Sequence, residues 1–378
     1  MRDRFLVFAG VALFLAWVTP NHYPPWASAY ADAMTALALA PLVAWALARP
    51  TRANPLALLA LLVSAVPLVQ LAVGQIYFAG DAWVAWLYLA GFALAVQCGT
   101  VVTEGADDHP NPRVALLPLQ ISLALAGIVS TGIALHQWLD LRQLGVFVVE
   151  IPARSRPSGN LSQPNQLATL LMLAIAAIAF LFEARKVRAS IALFASIYLA
   201  IGLALTQSRT VFLAVGLVWL AAFSLRSRVK LRTTLGSLAI VSGFYAILML
   251  AWPEIEGALL LKLGTSLGER TSSDLRLILW RSMLDAVAMR PWAGWGWGQV
   301  SLAQQAVALS YPATHWWFES SHNLFMDLAI WAGVPIALLV STGLLIWMFR
   351  AVRCCRDPLA WCLLIGIGSV FFHAMVEY

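Results

Sequence analysis

Residues 166–205 read QLATLLMLAIAAIAFLFEARKVRASIALFASIYLAIGLAL, and this stretch decides the fold. It contains two apolar runs, 166–183 and 189–205, on either side of a short turn with three basic residues. Each run has about the length that an α-helix needs to cross roughly 30 Å of hydrocarbon. The pattern therefore predicts two transmembrane helices that are joined by a basic turn.

Similar runs recur along all 378 residues, of which 61% are hydrophobic and 11% are charged. Soluble domains are about 25% charged, so this composition excludes a water-soluble protein. Continuous apolar runs also exclude a transmembrane β-barrel, whose strands alternate. Eleven runs are predicted to span the membrane: 5–19, 29–48, 55–73, 82–103, 113–135, 166–183, 189–205, 210–225, 233–252, 323–349 and 358–376. We expect an all-α integral membrane protein with one polytopic domain, residues 1–378.

Basic residues indicate the orientation of these spans. With a cytoplasmic N-terminus, 15 of the 24 basic residues fall in inner segments, and the short outer loops 20–28 and 74–81 contain none. Lys and Arg concentrate on the cytoplasmic side of membrane proteins. We therefore expect two long loops, 136–165 and 253–322, on the outer side. This division of charge leaves no basic surface for nucleic acid, despite the net charge of +6.

Nine basic residues remain on the outer side, and eight of them lie in the two long loops. Arg209 occupies an outer turn without an acidic residue, so it reaches lipid phosphate or holds a bound anion. Arg276 and Arg281 lie on a predicted amphipathic helix, where Arg276 either pairs with Asp274 or faces a ligand. Two converging guanidinium groups have the forked geometry that a diphosphate needs.

The second long loop ends in Glu319-Ser-Ser-His322-Asn323, which concentrates acidic, basic and hydrogen-bonding groups at one membrane boundary. Histidine is the usual general base near neutral pH. A helix N-terminus beside it would lower the pKa of the imidazole and keep it available as a base. The alternative is that His322 is merely a residue at the start of a helix.

Two further segments face outward. Asn21-His22-Tyr-Pro-Pro-Trp26 follows the first span, and its two prolines stiffen a turn. Gln163-Pro-Asn165 has the pattern of a helix entrance, with Asn165 near the cap. Arg154 and Arg156 stand within a short distance of that entrance along the chain.

These motifs resemble those of the O-antigen ligase superfamily of bacterial membrane glycosyltransferases, and they are most similar to the branch of protein O-oligosaccharyltransferases. The resemblance covers nearly the whole chain and rests on five segments: 21–26, 159–168, 272–280, 291–298 and 321–323. The final segment, 373–378, is also similar, and in that branch the chain continues into another span. We therefore expect either a natural end at Tyr378 or a chain shortened from one with twelve or more spans.

The resemblance implies a GT-C-like fold in the bacterial inner membrane and an active site on the periplasmic face. There, a preassembled glycan passes as a whole from undecaprenyl pyrophosphate to an acceptor hydroxyl, most often a Ser or Thr of a protein. Arg209 and Arg276 match the arginines that bind the pyrophosphate, and His322 matches the essential histidine. We expect eight further residues to help bind substrates: His22, Arg154, Arg156, Gln163, Asn165, Arg281, Glu319 and Asn323.

Neither a cofactor nor a metal is expected, because no carboxylate-rich metal site is visible in the outer segments. Three alternatives to a protein acceptor stay open: an O-antigen ligase that acts on the lipid A core of lipopolysaccharide, an O-antigen polymerase, and a flippase or transporter for lipid-linked sugars. A transporter should show ionisable residues near mid-membrane, whereas Arg209 and His322 lie toward the outer ends of spans. Membrane lipids and the lipid-linked glycan are the other expected partners.

Overall fold

The computed structural model describes residues 2–21, 26–49, 51–104, 111–141, 143–152, 155–225, 227–259, 274–312 and 317–376, with the backbone alone at 274–276. These ranges contain fourteen α-helices and no β-strand. The helices are α1 (Arg2–Val18), α2 (Ala29–Leu47), α3 (Pro55–Ala72), α4 (Ala79–Glu104), α5 (Leu117–Trp138), α6 (Pro164–Glu183), α7 (Ala189–Thr206), α8 (Thr210–Leu225), α9 (Leu235–Ala258), α10 (Asp274–Met289), α11 (Val300–Val307), α12 (Leu324–Ala332), α13 (Val334–Cys354) and α14 (Pro358–Val376). The all-α prediction is confirmed.

Nine helices within the described ranges are long and apolar enough to cross a membrane. The apolar helix α8, with 16 residues, is shorter than these nine, and α1 has 17 residues. Every predicted span coincides at least in part with a helix. An integral membrane protein is therefore confirmed, and the count of eleven spans stays a prediction.

The predicted single span 323–349 is wrong, because the helix is interrupted at Gly333. Gly333 has φ +83°, and a Cβ atom there would lie 2.3 Å from the carbonyl oxygen of Trp292. Only glycine adopts this conformation readily and allows such a close approach of backbone. The segment therefore forms α12, with nine residues, followed by the longer α13.

The predicted span 233–252 ends before the helix that contains it. Helix α9 continues through Pro253 to Ala258. Proline removes one backbone donor and kinks a helix, but it still permits the α conformation. On either side of this proline, Trp252 and Glu256 are one turn apart and both buried, so their packing stabilises the extra turn.

The chain divides into two compact units. Unit 1 comprises Met1–Arg49, Val102–Gly264 and Cys354–Phe372. Its core lies among α5, α6, α7 and α9. Two glycines allow close helix packing: a Cβ at Gly127 would lie 2.3 Å from that of Ala174, and one at Gly202 would lie 2.5 Å from Oγ1 of Thr131. Small residues at helix contacts are typical of membrane bundles.

Unit 2 comprises Pro50–Val101, Thr265–Arg353 and His373–Tyr378. The apolar face of α10 lies in its core, where Leu279 and Met283 are almost fully buried. This confirms the amphipathic helix that the sequence predicts. Residues of α11 and α12 pack against the same core, so the end of the second loop and the start of the next helix belong to one packed structure.

Candidate functional site

The turn between α7 and α8, in unit 1, buries four polar residues and exposes one cation. Thr206, Gln207, Ser208 and Thr210 are buried, whereas Arg209 is exposed. The Ser208 and Thr210 hydroxyl groups hydrogen-bond at 2.7 Å, and the Ser208 N–H donates to the Thr206 hydroxyl at 3.3 Å. Within the described ranges, no carboxylate forms an ion pair with Arg209. A fixed turn thus presents a guanidinium group that an anion could bind.

Arg156 reaches the same turn from the first long loop. Its Nη1 donates to the carbonyl oxygen of Thr206 at 3.4 Å, which is a long hydrogen bond. Arg156 and Thr206 are 50 residues apart in the chain, so the fold brings together two predicted site regions. Two of the predicted basic residues, Arg156 and Arg209, therefore belong to one neighbourhood of unit 1.

Two buried amide side chains hold the first long loop against the helices. The Gln137 Nε2 donates to Val149 and Gly159 carbonyl oxygens, and its Oε1 accepts the Gly159 N–H at 2.9 Å. The Asn160 Nδ2 donates to the carbonyl oxygen of Val18 at 2.7 Å, and its Oδ1 accepts the Val149 N–H at 3.1 Å. These bonds fix the segment that leads into the predicted helix entrance. The sequence analysis does not single out Gln137, which lies two residues beyond the predicted span 113–135.

The helix entrance at Gln163-Pro164-Asn165 forms as predicted. Helix α6 begins at Pro164, Gln163 precedes it in an extended conformation, and Asn165 is buried in the first turn. The Gln163 side chain makes no capping hydrogen bond. Gln163 is half-buried beside the helix start.

His322 lies in unit 2 on a turn that a buried carboxylate holds. Asp327 is fully buried; its Oδ2 accepts the Ser320 hydroxyl at 2.7 Å and its Oδ1 accepts the Ser321 N–H at 2.7 Å. The Ser320 hydroxyl oxygen in turn accepts the His322 N–H at 3.0 Å. Asp327 thus stabilises the three residues that end at the histidine, although the sequence did not single it out as a site residue.

The side chains next to His322 are held in different ways. Asn323 caps α12, because its Oδ1 accepts the Met326 N–H at 3.1 Å, and its Nδ2 donates to the Met375 carbonyl oxygen at 3.3 Å. Asn323, and not His322, is therefore the residue that caps the helix. The Phe318 ring meets the His322 imidazole edge to face, with centroids 6.2 Å apart. Glu319 is exposed.

Helix α10 connects to the histidine turn through Trp280, whose Nε1 donates to the carbonyl oxygen of Ser321 at 2.9 Å. Arg281, the next residue, is exposed. One turn further, Asp285 accepts a hydrogen bond from the Tyr311 hydroxyl. This bond raises the pKa of the Tyr311 phenol, whereas the charge of Arg281 opposes the shift.

For three of the predicted site residues, the structure does not describe the side chain. His22 and Arg154 lie outside the described residues, and for Arg276 the backbone alone is described, at the first turn of α10. Their predicted roles stay predictions. The same is true of the pairing between Arg276 and Asp274.

A non-glycine residue in the left-handed conformation occurs just before α6, in the α7–α8 turn and in the histidine turn. These residues are Ser162 (φ +61°), Gln207 (φ +49°) and His322 (φ +59°). Such a backbone costs roughly 1–3 kcal/mol and persists only where the surrounding contacts enforce it. Asp140 (φ +50°) and Arg185 (φ +58°) adopt the same conformation outside the motifs, so it does not by itself mark a functional residue.

The glycine- and tryptophan-rich loop 291–298 is fixed by a glutamine of α3. The buried Gln70 accepts the Trp297 N–H at 2.9 Å and donates to the Trp331 carbonyl oxygen at 2.8 Å. The Trp297 and Trp331 rings pack with centroids 5.1 Å apart. Trp292 of the same loop is 80% exposed, so the loop combines a fixed backbone with one free aromatic face.

An apolar cavity of about 120 Å³ lies inside unit 1, among α6, α7, α8, α9 and α14. Its lining is almost entirely aliphatic and aromatic, and it includes Val211 in the first turn of α8, two residues after Arg209. The hydroxyl group of Tyr245 is buried at its wall without a hydrogen-bond partner among the described residues. A space of this kind suits a hydrocarbon chain.

Two family models match the chain. Residues 194–341 match the O-Antigen ligase family, and residues 157–182 match the Protein glycosylation ligase family. The first range contains Arg209, Arg276 and His322, and the second contains the entrance to α6. The protein is thus a membrane-embedded ligase of the glycosyltransferase type.

Two relatives from Acinetobacter baylyi specify the branch. The chain is 30% identical to a general O-oligosaccharyltransferase over 390 aligned positions, which cover 100% of this chain and 67% of that protein. It is 27% identical to a ComP-specific O-oligosaccharyltransferase over 82% of this chain and 55% of that protein. The chain therefore belongs to the O-oligosaccharyltransferase branch of the O-antigen ligase family.

Proposed function

We propose that this protein transfers a preassembled glycan as a whole from undecaprenyl pyrophosphate to a Ser or Thr hydroxyl of an exported protein. The observation that carries the proposal is the exposed Arg209 on its buried, hydrogen-bonded turn. The names of the relatives support a protein acceptor. The apolar cavity, whose lining includes Val211 in the first turn of α8, supports a donor with a long hydrocarbon chain.

In this reaction, the bond between the first sugar and the pyrophosphate breaks, and negative charge develops on the leaving phosphate. Fixed guanidinium groups stabilise that charge more in the transition state than in the ground state. We assign this role to Arg209 and Arg276 from their match to the family. His322 would take the proton of the attacking hydroxyl or orient that hydroxyl. Transfer would occur at the periplasmic face of the inner membrane.

The test is transfer in vitro from purified lipid-linked glycan to a pilin-like protein. Arg209→Ala, Arg276→Ala and His322→Ala should each lower the rate about 100-fold or more at equal expression. Lys186→Ala is the matched control, because Lys186 is an exposed cation at the opposite end of α7. Full activity in all three variants would refute the site assignment.

The same assay separates the possible acceptors. Lipid A core and the pilin-like protein are offered together, and we expect label on the protein alone. Label on lipid A core alone would favour an O-antigen ligase instead. Incubation with a metal chelator tests the further prediction that transfer needs no metal, because a chelator-sensitive rate would contradict it.

A further inference from the structure

Glu256, in the last turn of α9, is a buried carboxylate that the proposed reaction does not use. Glu256 is 8% exposed and lies on the same face of the helix as the buried Trp252. Buried carboxylates are rare unless hydrogen bonds satisfy them. We therefore expect the Glu256 carboxylate to accept hydrogen bonds from neighbouring side chains or backbone.

The partner of Glu256 is Gln207, on the turn that carries Arg209. The Oε1 atom of Glu256 accepts a hydrogen bond from the Gln207 Nε2 at 3.1 Å. The same oxygen accepts the Trp252 Nε1–H. The Trp252 ring packs against Trp138, with centroids 5.3 Å apart. The carboxylate is thus fixed on its own helix and reaches across to the α7–α8 turn.

Gln207 needs such a partner. It ends α7 in the left-handed conformation, with φ 49° and ψ 32°, which is unfavourable for a residue with a side chain. The Oε1 atom of Gln207 is buried and has no hydrogen-bond partner among the described residues. The bond to Glu256 therefore fixes the Gln207 side chain, and this residue lies two positions before Arg209.

We propose that Glu256 is a positioning residue: through Gln207, it holds the strained turn in the geometry that directs Arg209 to the donor diphosphate. The catalytic consequence rests on the proposed function, because it requires Arg209 to bind that group. The structural consequence, a turn that loosens when the Glu256–Gln207 bond is lost, does not depend on the reaction.

The structural consequence is tested by amide hydrogen exchange of the full chain in lipid nanodiscs. Glu256→Ala and Gln207→Ala should each accelerate exchange at residues 206–210, whereas Glu256→Gln should not, because its amide oxygen still accepts both bonds. Glu183→Ala is the matched control. Glu183 is also a buried carboxylate of unit 1, but it accepts bonds from the Thr233 N–H and hydroxyl groups, so residues 206–210 should keep their protection.

The catalytic consequence is tested by kinetics with purified lipid-linked glycan. Glu256→Ala and Gln207→Ala should each raise the KM for the donor about tenfold, the effect of one lost buried hydrogen bond, and leave the KM for the acceptor unchanged. The double variant should be no worse than Glu256→Ala alone, since Glu256→Ala already removes the bond to Gln207. Glu256→Gln should keep the donor KM of the unmodified protein.

Three outcomes would overturn the proposal: unchanged exchange at 206–210 in Glu256→Ala, equal increases in both KM values, or additive effects in the double variant. If the unmodified chain transfers no glycan, the proposed function fails. The exchange data then still decide whether Glu256 holds the turn. If Glu256→Ala does not fold, the same hydrogen bond is tested by comparing Gln207→Ala, which removes it, with Glu256→Gln, which keeps it.

Discussion

Asp327 accepts the backbone N–H of Ser321 at 2.7 Å from a fully buried position on α12. Burial raises the pKa of this carboxyl group, while its hydrogen bonds with Ser321 and Ser320 act in the opposite direction. Helix α12 has nine residues, about 14 Å, and is too short to span a membrane. The bond therefore joins a short helix to the turn that ends at His322, and it determines where that turn lies.

Asp327→Ala should lower the rate of glycan transfer about tenfold, because it leaves the buried Ser321 N–H without an acceptor and releases the His322 turn. The loss should appear in kcat, with the KM for the lipid donor unchanged. Steady-state kinetics with both substrates measure the two effects. Asp81→Ala is the control: Asp81 is exposed and accepts one bond from Gln299 at 3.2 Å. A comparable loss in the control would contradict a specific role of Asp327.

Gly333→Ala should destabilise the protein by about 3 kcal/mol, because φ is +83° and the new Cβ would collide with the Trp292 backbone. Thermal unfolding in detergent measures the change as a lower Tm. Gly80→Ala is the matched control, since Gly80 lies in helix α4 and a Cβ there meets nothing within 4 Å. That substitution should be neutral or slightly stabilising. Equal Tm values for the two variants would show that the break at 333 is not needed.

Gln70→Leu should cost about 2 kcal/mol, because the Trp297 N–H is buried and would lose its acceptor. Gln75→Ala should cost less. Gln75 also binds the 291–298 loop, through the carbonyl oxygens of Ala293 and Gly294, but it is only half-buried and water can replace it. Thermal unfolding and the near-ultraviolet circular dichroism of the tryptophans report both effects. A larger cost for Gln75→Ala would contradict this order.

The Tyr311–Asp285 hydrogen bond should make the phenol titrate above its ordinary pKa of about 10. Since the folded pKa is raised, the stabilisation is complete below about pH 10 and is lost as the pH rises through the raised value. Phenolate absorbance of the unmodified protein minus that of Tyr311→Phe isolates this group. Asp285→Asn should lower the midpoint, because the carboxylate is removed. A midpoint that does not move would contradict the assignment.

The sequence predicts the fold class and the motif positions well because both depend on local patterns. Apolar runs of a length that crosses the bilayer predict helices, and Pro164 marks a helix start. The break at Gly333 was missed because a glycine within an apolar run is compatible with a continuous helix. Only the approach of the Trp292 backbone requires φ to be positive there.

The supporting residues were missed for a related reason. Gln70, Gln137, Glu256 and Asp327 lie in or beside apolar runs, where a single polar residue carries no signal of its own. Their partners are distant in the chain: Gln70 and Trp297 are 227 residues apart, and Gln207 and Glu256 are 49 apart. Such pairs form only when the helices pack.

By itself, the sequence determined that this chain is a helical membrane protein, and it located the exposed or half-buried residues Arg156, Arg209 and His322. The positions of apolar and basic residues along the chain determine the spans and their orientation, so the sequence alone is enough to predict both. The tertiary structure alone decided which buried groups hold those residues. A buried polar group must find a hydrogen-bond partner, and packing in three dimensions determines which partner is within reach.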